Sequence, residues 1–264
     1  MKALGVGLLA AAAVAQGAMA QDRALCADRP GKATPPCVVD VGRLQVEGGL
    51  VDWSRQDQDG ERTEALAVGG LEVRTGLTRR SELELGWTAY SQVDDKVAGA
   101  TTRTHGVGDL FIGVRAALTD PDADGPQLAL EPYVTAPTAT HGQGGGGWEG
   151  GVIAPMSLPL ADGLSLGASP QLALKRDPGG GGTHLDASGA VAVSRGFGPV
   201  SVALELWGEV DDQPGGAVSQ ASADAAAAWV PAGEPNLQVD VGLNLGLNGD
   251  TPDQEVYAGI VRRF

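Results

Sequence analysis

Residues 237–247 read Leu-Gln-Val-Asp-Val-Gly-Leu-Asn-Leu-Gly-Leu, an uninterrupted alternation of aliphatic with polar or small side chains. Successive side chains on a β-strand point to opposite faces, so this pattern predicts a strand with one apolar and one polar face. The apolar face contains only Leu and Val, while the polar face accepts the charged Asp240. Residues 82–90 and 164–175 repeat the pattern.

Twelve segments of this kind follow one another to the end of the chain. They cover residues 41–53, 62–76, 81–93, 105–118, 127–137, 147–159, 164–175, 184–195, 200–210, 218–229, 237–247 and 255–264. Short links join segments 2 and 3, 6 and 7, and 8 and 9, whereas the links 3–4, 5–6 and 7–8 are longer, polar and rich in glycine. Short turns at one end and long loops at the other are typical of transmembrane barrels. We therefore predict an all-β fold, an antiparallel β-barrel of about twelve strands over residues 41–264.

The composition excludes other classes. The 264 residues carry 33 Asp and Glu against 18 Lys and Arg, for a net charge of −15, which argues against nucleic acid as a partner. The 41 glycines make a helical bundle unfavourable. A soluble periplasmic β-sandwich that binds a ligand remains an alternative, but only 4% of residues are aromatic. A face of Leu, Val and Ala suits lipid better than an interlocking core.

The N-terminal 40 residues stand apart from this pattern. Residues 1–20 have a basic start, an apolar run and an Ala-Met-Ala end, which predicts a cleaved signal peptide and export. Residues 21–40 form a proline-rich extension that contains Cys26 and Cys37. In an oxidising compartment we expect these cysteines to form a disulfide. The extension lies either inside the barrel as a plug or in the periplasm.

The C-terminus predicts how the chain reaches its membrane. The last segment ends in Phe264, with Val256, Ala258 and Ile260 at the same parity. This resembles the signal read by the barrel-assembly machinery, although Arg262 occupies a position that is usually apolar. We expect a location in the bacterial outer membrane, with membrane lipids and lipopolysaccharide as further partners.

Charged residues in the segments share the polar parity and are predicted to line the lumen. A buried charge must be hydrated or paired, so these residues indicate either a channel or a barrel closed by ion pairs. Their acidic excess favours cations or neutral solutes. The candidates are Glu82, Glu84, Asp109, Arg115, Glu131, Glu149, Lys175, Asp186, Glu205, Asp224 and Asp240, and Glu47 and Glu209 have the same parity.

Other motifs point to no chemistry. Residues 120–131 match the spacing of an EF-hand loop, but the flanks are predicted strands, so we interpret an acidic turn at the periplasmic rim. The glycine run 142–147 is expected to be a flexible extracellular loop. His105, His141 and His184 lie near loop junctions as solvated rim residues, with a metal site or pH-sensitive gate as a weaker hypothesis. We predict no enzyme activity, no cofactor and no metal site.

Several motifs, in order along the mature chain, resemble a known family. They include Cys26-x-x-Arg29-Pro30, Gly106-Val107-Gly108-Asp109-Leu110, residues 148–155 and residues 240–248. The chain is similar to a bacterial outer-membrane transporter-like family named for the MetA pathway of phenol degradation. The resemblance implies a porin-like barrel that passes small solutes, aromatic compounds among them. A structural or adhesive closed barrel without transport remains the alternative.

Overall fold

The computed structural model describes residues 23–140, 142–179 and 181–264, so the predicted signal peptide lies outside the described residues. The strands among these residues form one antiparallel sheet. Its strands are β1 Leu44–Gln58, β2 Glu61–Thr78, β3 Ser81–Val97, β4 Ala100–Gly106, β5 Leu110–Ala117, β6 Gln127–Ala136, β7 Glu149–Ile153, β8 Met156–Pro159, β9 Leu164–Ala168, β10 Gln171–Arg176, β11 Thr183–Phe197, β12 Val200–Asp211, β13 Val218–Trp229, β14 Leu237–Gly246 and β15 Gln254–Arg263. A short 3₁₀ turn spans Ala161–Gly163.

The sheet closes on itself. Strand β1 pairs with β2 on one side and with β15 on the other, and the Phe264 N–H donates to the Leu44 carbonyl at 2.7 Å. The chain crosses the barrel wall repeatedly, and each such crossing is here called a stave. Three staves are interrupted and consist of two shorter strands each, namely β4 with β5, β7 with β8 and β9 with β10. The barrel therefore has twelve staves, as predicted. A closed sheet excludes the two-sheet sandwich.

Two of the broken staves have prolines at their interruptions. Pro155 separates β7 from β8, and Pro170 separates β9 from β10. Proline has no backbone N–H, so the ladder loses a donor at each position. The carbonyl groups stay paired, because the Ala129 N–H donates to Pro155 and the Ala154 N–H donates to Pro170, both at 2.9 Å.

The link between the third and fourth predicted segments is not the long polar loop that the sequence suggested. Strand β3 continues to Val97 and returns as β4 through Ala98 and Gly99, whose φ angles are +50° and +83°. Positive φ at both central residues gives a tight turn that matches strand twist. Glycine next to Ala98 allows this turn, so the chain extends as a hairpin. We call this end of the barrel distal, and the end with Leu44 and Phe264 terminal.

The two faces of the barrel differ as the alternation predicts. On β14, Val241 and Leu245 are about half exposed on the outside, whereas Asp240 and Asn244 are nearly fully buried on the inside. The outer face consists mainly of Leu, Val and Ala, and the inner face carries charge. Within the described residues, no helix has the length and apolarity needed to span a membrane.

Arg262 interrupts the apolar pattern of the last strand, but its side chain has a partner. Its Nη1 donates to Glu234 Oε2 at 2.8 Å, at the terminal end. Phe264 is 62% exposed and its backbone joins β15 to the start of β1. Its role as an assembly signal stays a prediction.

Leu85→Arg tests whether lipid surrounds the outer face. Leu85 lies on the outer face of β3, between Val73 of β2 and Ile112 of β5. An arginine facing the middle of a bilayer costs about 2–4 kcal/mol, so we expect a loss of that size in the free energy of unfolding, measured in phospholipid vesicles with guanidinium chloride. Val97→Arg at the distal hairpin is the matched control, and equal losses for both would contradict a lipid-facing surface.

Candidate functional site

Residues 23–40, here called the inner segment, lie inside the barrel. Backbone N–H groups of Asp28 and Arg29 donate to Glu47 at 3.0–3.1 Å. The Val39 N–H donates to Glu82 at 2.6 Å. The Lys32 N–H donates to Glu205 at 2.9 Å. Since these carboxylates belong to β1, β3 and β12, the segment contacts separate parts of the inner wall.

The predicted disulfide between Cys26 and Cys37 is confirmed, and it closes residues 26–37 into a ring. The wall binds this ring through its backbone carbonyls. Cys26 accepts hydrogen bonds from Gln45 at 2.5 Å and from Arg74 at 2.8 Å, and Cys37 accepts one from Arg115 at 3.3 Å. The ring is therefore fixed to the wall at both of its joined ends.

Two fully buried arginines form the centre of this contact. Arg115 lies 2.5 Å from Asp28 and 2.7 Å from Glu131. Arg74 lies 2.6 Å from Glu82 and 2.9 Å from Asp28. Asp28 thus joins both guanidiniums to the inner segment. Removal of one partner from such a buried set leaves uncompensated charges.

Further carboxylates crowd the same place. Glu47 lies 2.9 Å from Arg74, and Glu84 lies 3.1 Å from Arg115. Donor oxygens of Asp28, Glu72 and Glu84 all lie within 4.8 Å of one another. Burial opposes the ionisation of Asp28, but Arg115 and Arg74 outweigh it and hold its pKa below the ordinary value. The two guanidiniums therefore supply the positive charge that offsets this cluster of carboxylates.

Glycines let the inner segment approach the wall. A side chain at Gly76 on β2 would place its Cβ 2.3 Å from the Asp40 carbonyl oxygen. At Gly259 on β15 a Cβ would lie 2.2 Å from Nε of Arg29, which itself donates to Asp240 at 3.2 Å. Backbone and wall are in direct contact at Gly76, where no rotamer change could make room.

The structure divides the predicted lumen residues into separate groups. Glu82, Glu84, Arg115 and Glu131 come together around the ring. Two others bind the inner segment on the opposite wall: Glu205 through the Lys32 backbone and Asp240 through Arg29. Asp224 lies beside Glu205 in strand register. Many of the inward-facing carboxylates thus bind the inner segment or the arginines that contact it.

The remaining predicted lumen residues lie nearer the distal end. Lys175 lies 3.0 Å from Asp186 and also pairs with Glu209. Asp109 accepts the N–H groups of Ala139 and Gly145, so it fixes the loop after β6 instead of lining an open channel. Glu149 accepts the Arg176 N–H at 2.9 Å.

The histidines do not meet at one site. His184 lies between Asp177 at 2.9 Å and Asp211 at 2.6 Å, at the distal end. His105 is exposed on β4, with its ring 6.3 Å from that of Tyr90. His141 lies outside the described residues.

The stretch that matches an EF-hand loop is divided between two environments. Asp122 lies 2.6 Å from Arg23 and pairs with Arg79 in the turn at the terminal end. Glu131 points into the lumen towards Arg115. The two carboxylates serve different contacts, in agreement with an acidic turn.

Sequence reasoning missed the residues that join barrel and segment. Arg74 and Glu72 have inward parity in the second predicted strand, so the alternation could have identified both. Asp28, Arg29 and Lys32 lie in an irregular segment without periodicity. No local signal relates those three to their partners.

Comparison with known proteins assigns the chain to a family. The family model described as "Putative MetA-pathway of phenol degradation" matches residues 27–264. The chain belongs to this family. The matched range begins inside the inner segment, so that segment and the barrel fall within the family model together. No match was found among the curated proteins.

Solved structures share the barrel fold of this family member. The COG4313 outer membrane channel from Pseudomonas putida F1 is 18% identical with a TM-score of 0.71, over 89% of this chain and 99% of that one. The translocator domain of the autotransporter NalP from Neisseria meningitidis is 12% identical with a TM-score of 0.52, over 90% of each chain. These likenesses establish an outer-membrane-type barrel fold.

Arg115→Met tests the buried ion-pair network. The change leaves Asp28, Glu84 and Glu131 without their nearest guanidinium. Breaking a buried pair costs about 3–5 kcal/mol, which we expect as a loss in the free energy of unfolding. Arg103→Met, which breaks a pair with Asp94 in the exposed distal hairpin, is the control and should cost less than about 1 kcal/mol. Equal losses would show that the network contributes no more than a surface pair.

Gly76→Ala tests the contact between inner segment and wall. The added methyl group overlaps the Asp40 carbonyl, so we expect the segment to loosen and trypsin to cleave after Lys32 faster than in the parent protein. Gly196→Ala on β11 is the control, because its Cβ would meet no atom within 4 Å. Equal cleavage rates in the two variants would contradict a tight contact at Gly76.

Proposed function

We propose that the protein is a non-enzymatic outer-membrane channel for small solutes, in which the inner segment acts as a plug. The observation that carries this proposal is the placement of residues 23–40 inside a closed barrel, bound to β1, β3 and β12 through polar contacts. An apolar outer face supports insertion in a membrane. A polar, charged interior supports water and solutes within the barrel.

The inner segment fills the barrel unevenly, and this supports a route past it. Against β1–β3, β5 and β6 it is fixed by the arginine network. Against β9 and β11–β13 it leaves a cavity of about 230 Å³. The wall there has small side chains, among them Ala192, Ser194, Ala203, Ala226 and Ala228. The cavity is below the size of a drug-sized pocket, so passage requires a small solute or movement of the plug.

The family and the fold support the remaining parts of the proposal. The family name associates its members with phenol degradation, so we include small aromatic compounds among the solutes. The P. putida structure is itself named an outer membrane channel. With the chain termini on the periplasmic side, the distal hairpins and loops face the cell exterior.

A structural barrel without transport is the second candidate. The observation that favours it is the full burial of Arg74 and Arg115 among carboxylates, which closes one side of the lumen. In that case the plug is a permanent part of the core.

Single-channel conductance in planar bilayers separates the two candidates. The full mature chain should conduct weakly. A variant without residues 23–40 should conduct several-fold more, because the proposed obstruction is gone. We expect its barrel to remain closed, because the pairing of β1 with β2 and β15 does not involve residues 23–40. Heat-modifiable gel mobility checks that the shortened barrel folds, and Gly76→Ala provides a full-length variant with a loosened plug. An equally low conductance in all folded variants would favour the structural barrel.

A further inference from the structure

A second cavity, of about 290 Å³, lies where the inner segment faces β12–β15. Its wall offers an aromatic ring and several hydrogen-bond acceptors. The lining residues are Lys32, Trp207, Gln220, Ser222, Asn244, Thr251, Pro252 and Glu255. Lys32 comes from the inner segment, and the others come from the wall or from the loop after β14.

The side chain of Lys32 occupies this cavity as an ammonium group. Its Nζ lies 4.3 Å from the centroid of the Trp207 ring and 3.2 Å from Ser222 Oγ. Glu255 Oε2 is 3.7 Å away. An aromatic face, a hydroxyl and a carboxylate around one ammonium form the surroundings that favour organic cations.

The same wall has buried acceptors that are short of donors. Asn244 is 3% exposed, and its Nδ2 donates to Glu255 at 2.7 Å, whereas its Oδ1 accepts no hydrogen bond. Asp224 is 4% exposed, and apart from the neighbouring Ser222 hydroxyl no donor approaches its oxygens. Strand register places Asp224 beside Asn244, and Asn244 beside Glu255. Buried acceptors without donors are costly, so this row favours a ligand that brings N–H groups.

The charges around the cavity also favour a cation. Glu255 lines it, and Asp224 lies next to it in strand register, between Asn244 of the lining and Glu205. Glu205 receives backbone N–H groups of Lys32 and Ala33, which bring no net charge. Arg29 lies 3.1 Å from Asp240 and is engaged there. Lys32 is the cation that contacts Glu255 in this part of the described structure.

We propose that this wall is a binding site for small primary amines, and that Lys32 is its tethered occupant in the closed state. A soluble ammonium ion would compete with Lys32 for the Trp207 face, Ser222 and Glu255, and would also satisfy Asn244 Oδ1. The inference rests on the proposed channel function and names a solute class for it.

The geometry allows this exchange without loss of the plug. Lys32 is held through its backbone N–H by Glu205 at 2.9 Å, independently of its ammonium group. The side chain can therefore leave the Trp207 face while the ring stays bound. A tethered competitor acts as a high local concentration, so its removal should expose the full affinity of the site.

The experiment measures amine binding by tryptophan fluorescence in detergent. Trp53, Trp87, Trp148 and Trp229 are replaced by Phe, so that Trp207 alone reports. In this background we expect n-butylammonium to bind Lys32→Gln about tenfold more tightly than the parent, with n-butanol as the uncharged probe of the same length and no comparable effect. Lys96→Gln, which removes an ammonium paired with Glu64 at the distal hairpin, should leave binding unchanged.

The outcomes separate the site from the function. Asp224→Asn in the Lys32→Gln background should weaken n-butylammonium binding several-fold. Equal affinity in the parent and Lys32→Gln, no binding to Lys32→Gln, or equal binding of n-butanol would overturn the proposal. Gel heat modifiability verifies folding of each variant, and calorimetry with all tryptophans restored replaces fluorescence if the single-tryptophan barrel does not fold. Because transport plays no part in the assay, a barrel that binds amines but conducts nothing contradicts only the proposed function.

Discussion

Charges that point into a closed barrel must find a partner there, and in this protein the partner is largely the inner segment. Arg74 and Arg115 are fully buried, and Asp28 of the inner segment contacts both. Carboxylates on β1, β3 and β12 also bind backbone N–H groups of the same segment. The polar interior and the N-terminal segment therefore depend on each other, since neither would be satisfied alone without water in the lumen.

The contacts between the inner segment and the wall differ from one side of the barrel to the other. Next to β2 the segment is so close that only a glycine fits at position 76. Next to β9 and β11–β13 the wall has small side chains and a cavity remains. At β12–β15 Arg29 pairs with Asp240, backbone N–H groups of Lys32 donate to Glu205, and the Lys32 ammonium lies over Trp207. One side of the lumen thus holds the segment through buried ion pairs, while on the other side cavities remain between the segment and the wall.

The alternation of side chains predicted most of the barrel because lipid and lumen act on every strand with a period of two. It placed Glu82, Glu84, Arg115 and Glu131 on the inner face, and the same parity applies to Arg74. It did not predict the breaks at Pro155 and Pro170 or the extended hairpin at Ala98 and Gly99, which depend on local backbone chemistry. The partners of Asp28, Arg29 and Lys32 were beyond prediction, because an irregular segment selects its contacts by three-dimensional fit.

The disulfide between Cys26 and Cys37 determines how the inner segment can move. A linear peptide could leave the wall one residue at a time, with many partly detached forms between bound and free. A ring cannot peel from either end, since both of its ends are joined at the place where Arg74 and Arg115 hold the Cys26 and Cys37 carbonyls. Detachment of the ring from the wall therefore requires these contacts to break together, and not one residue at a time.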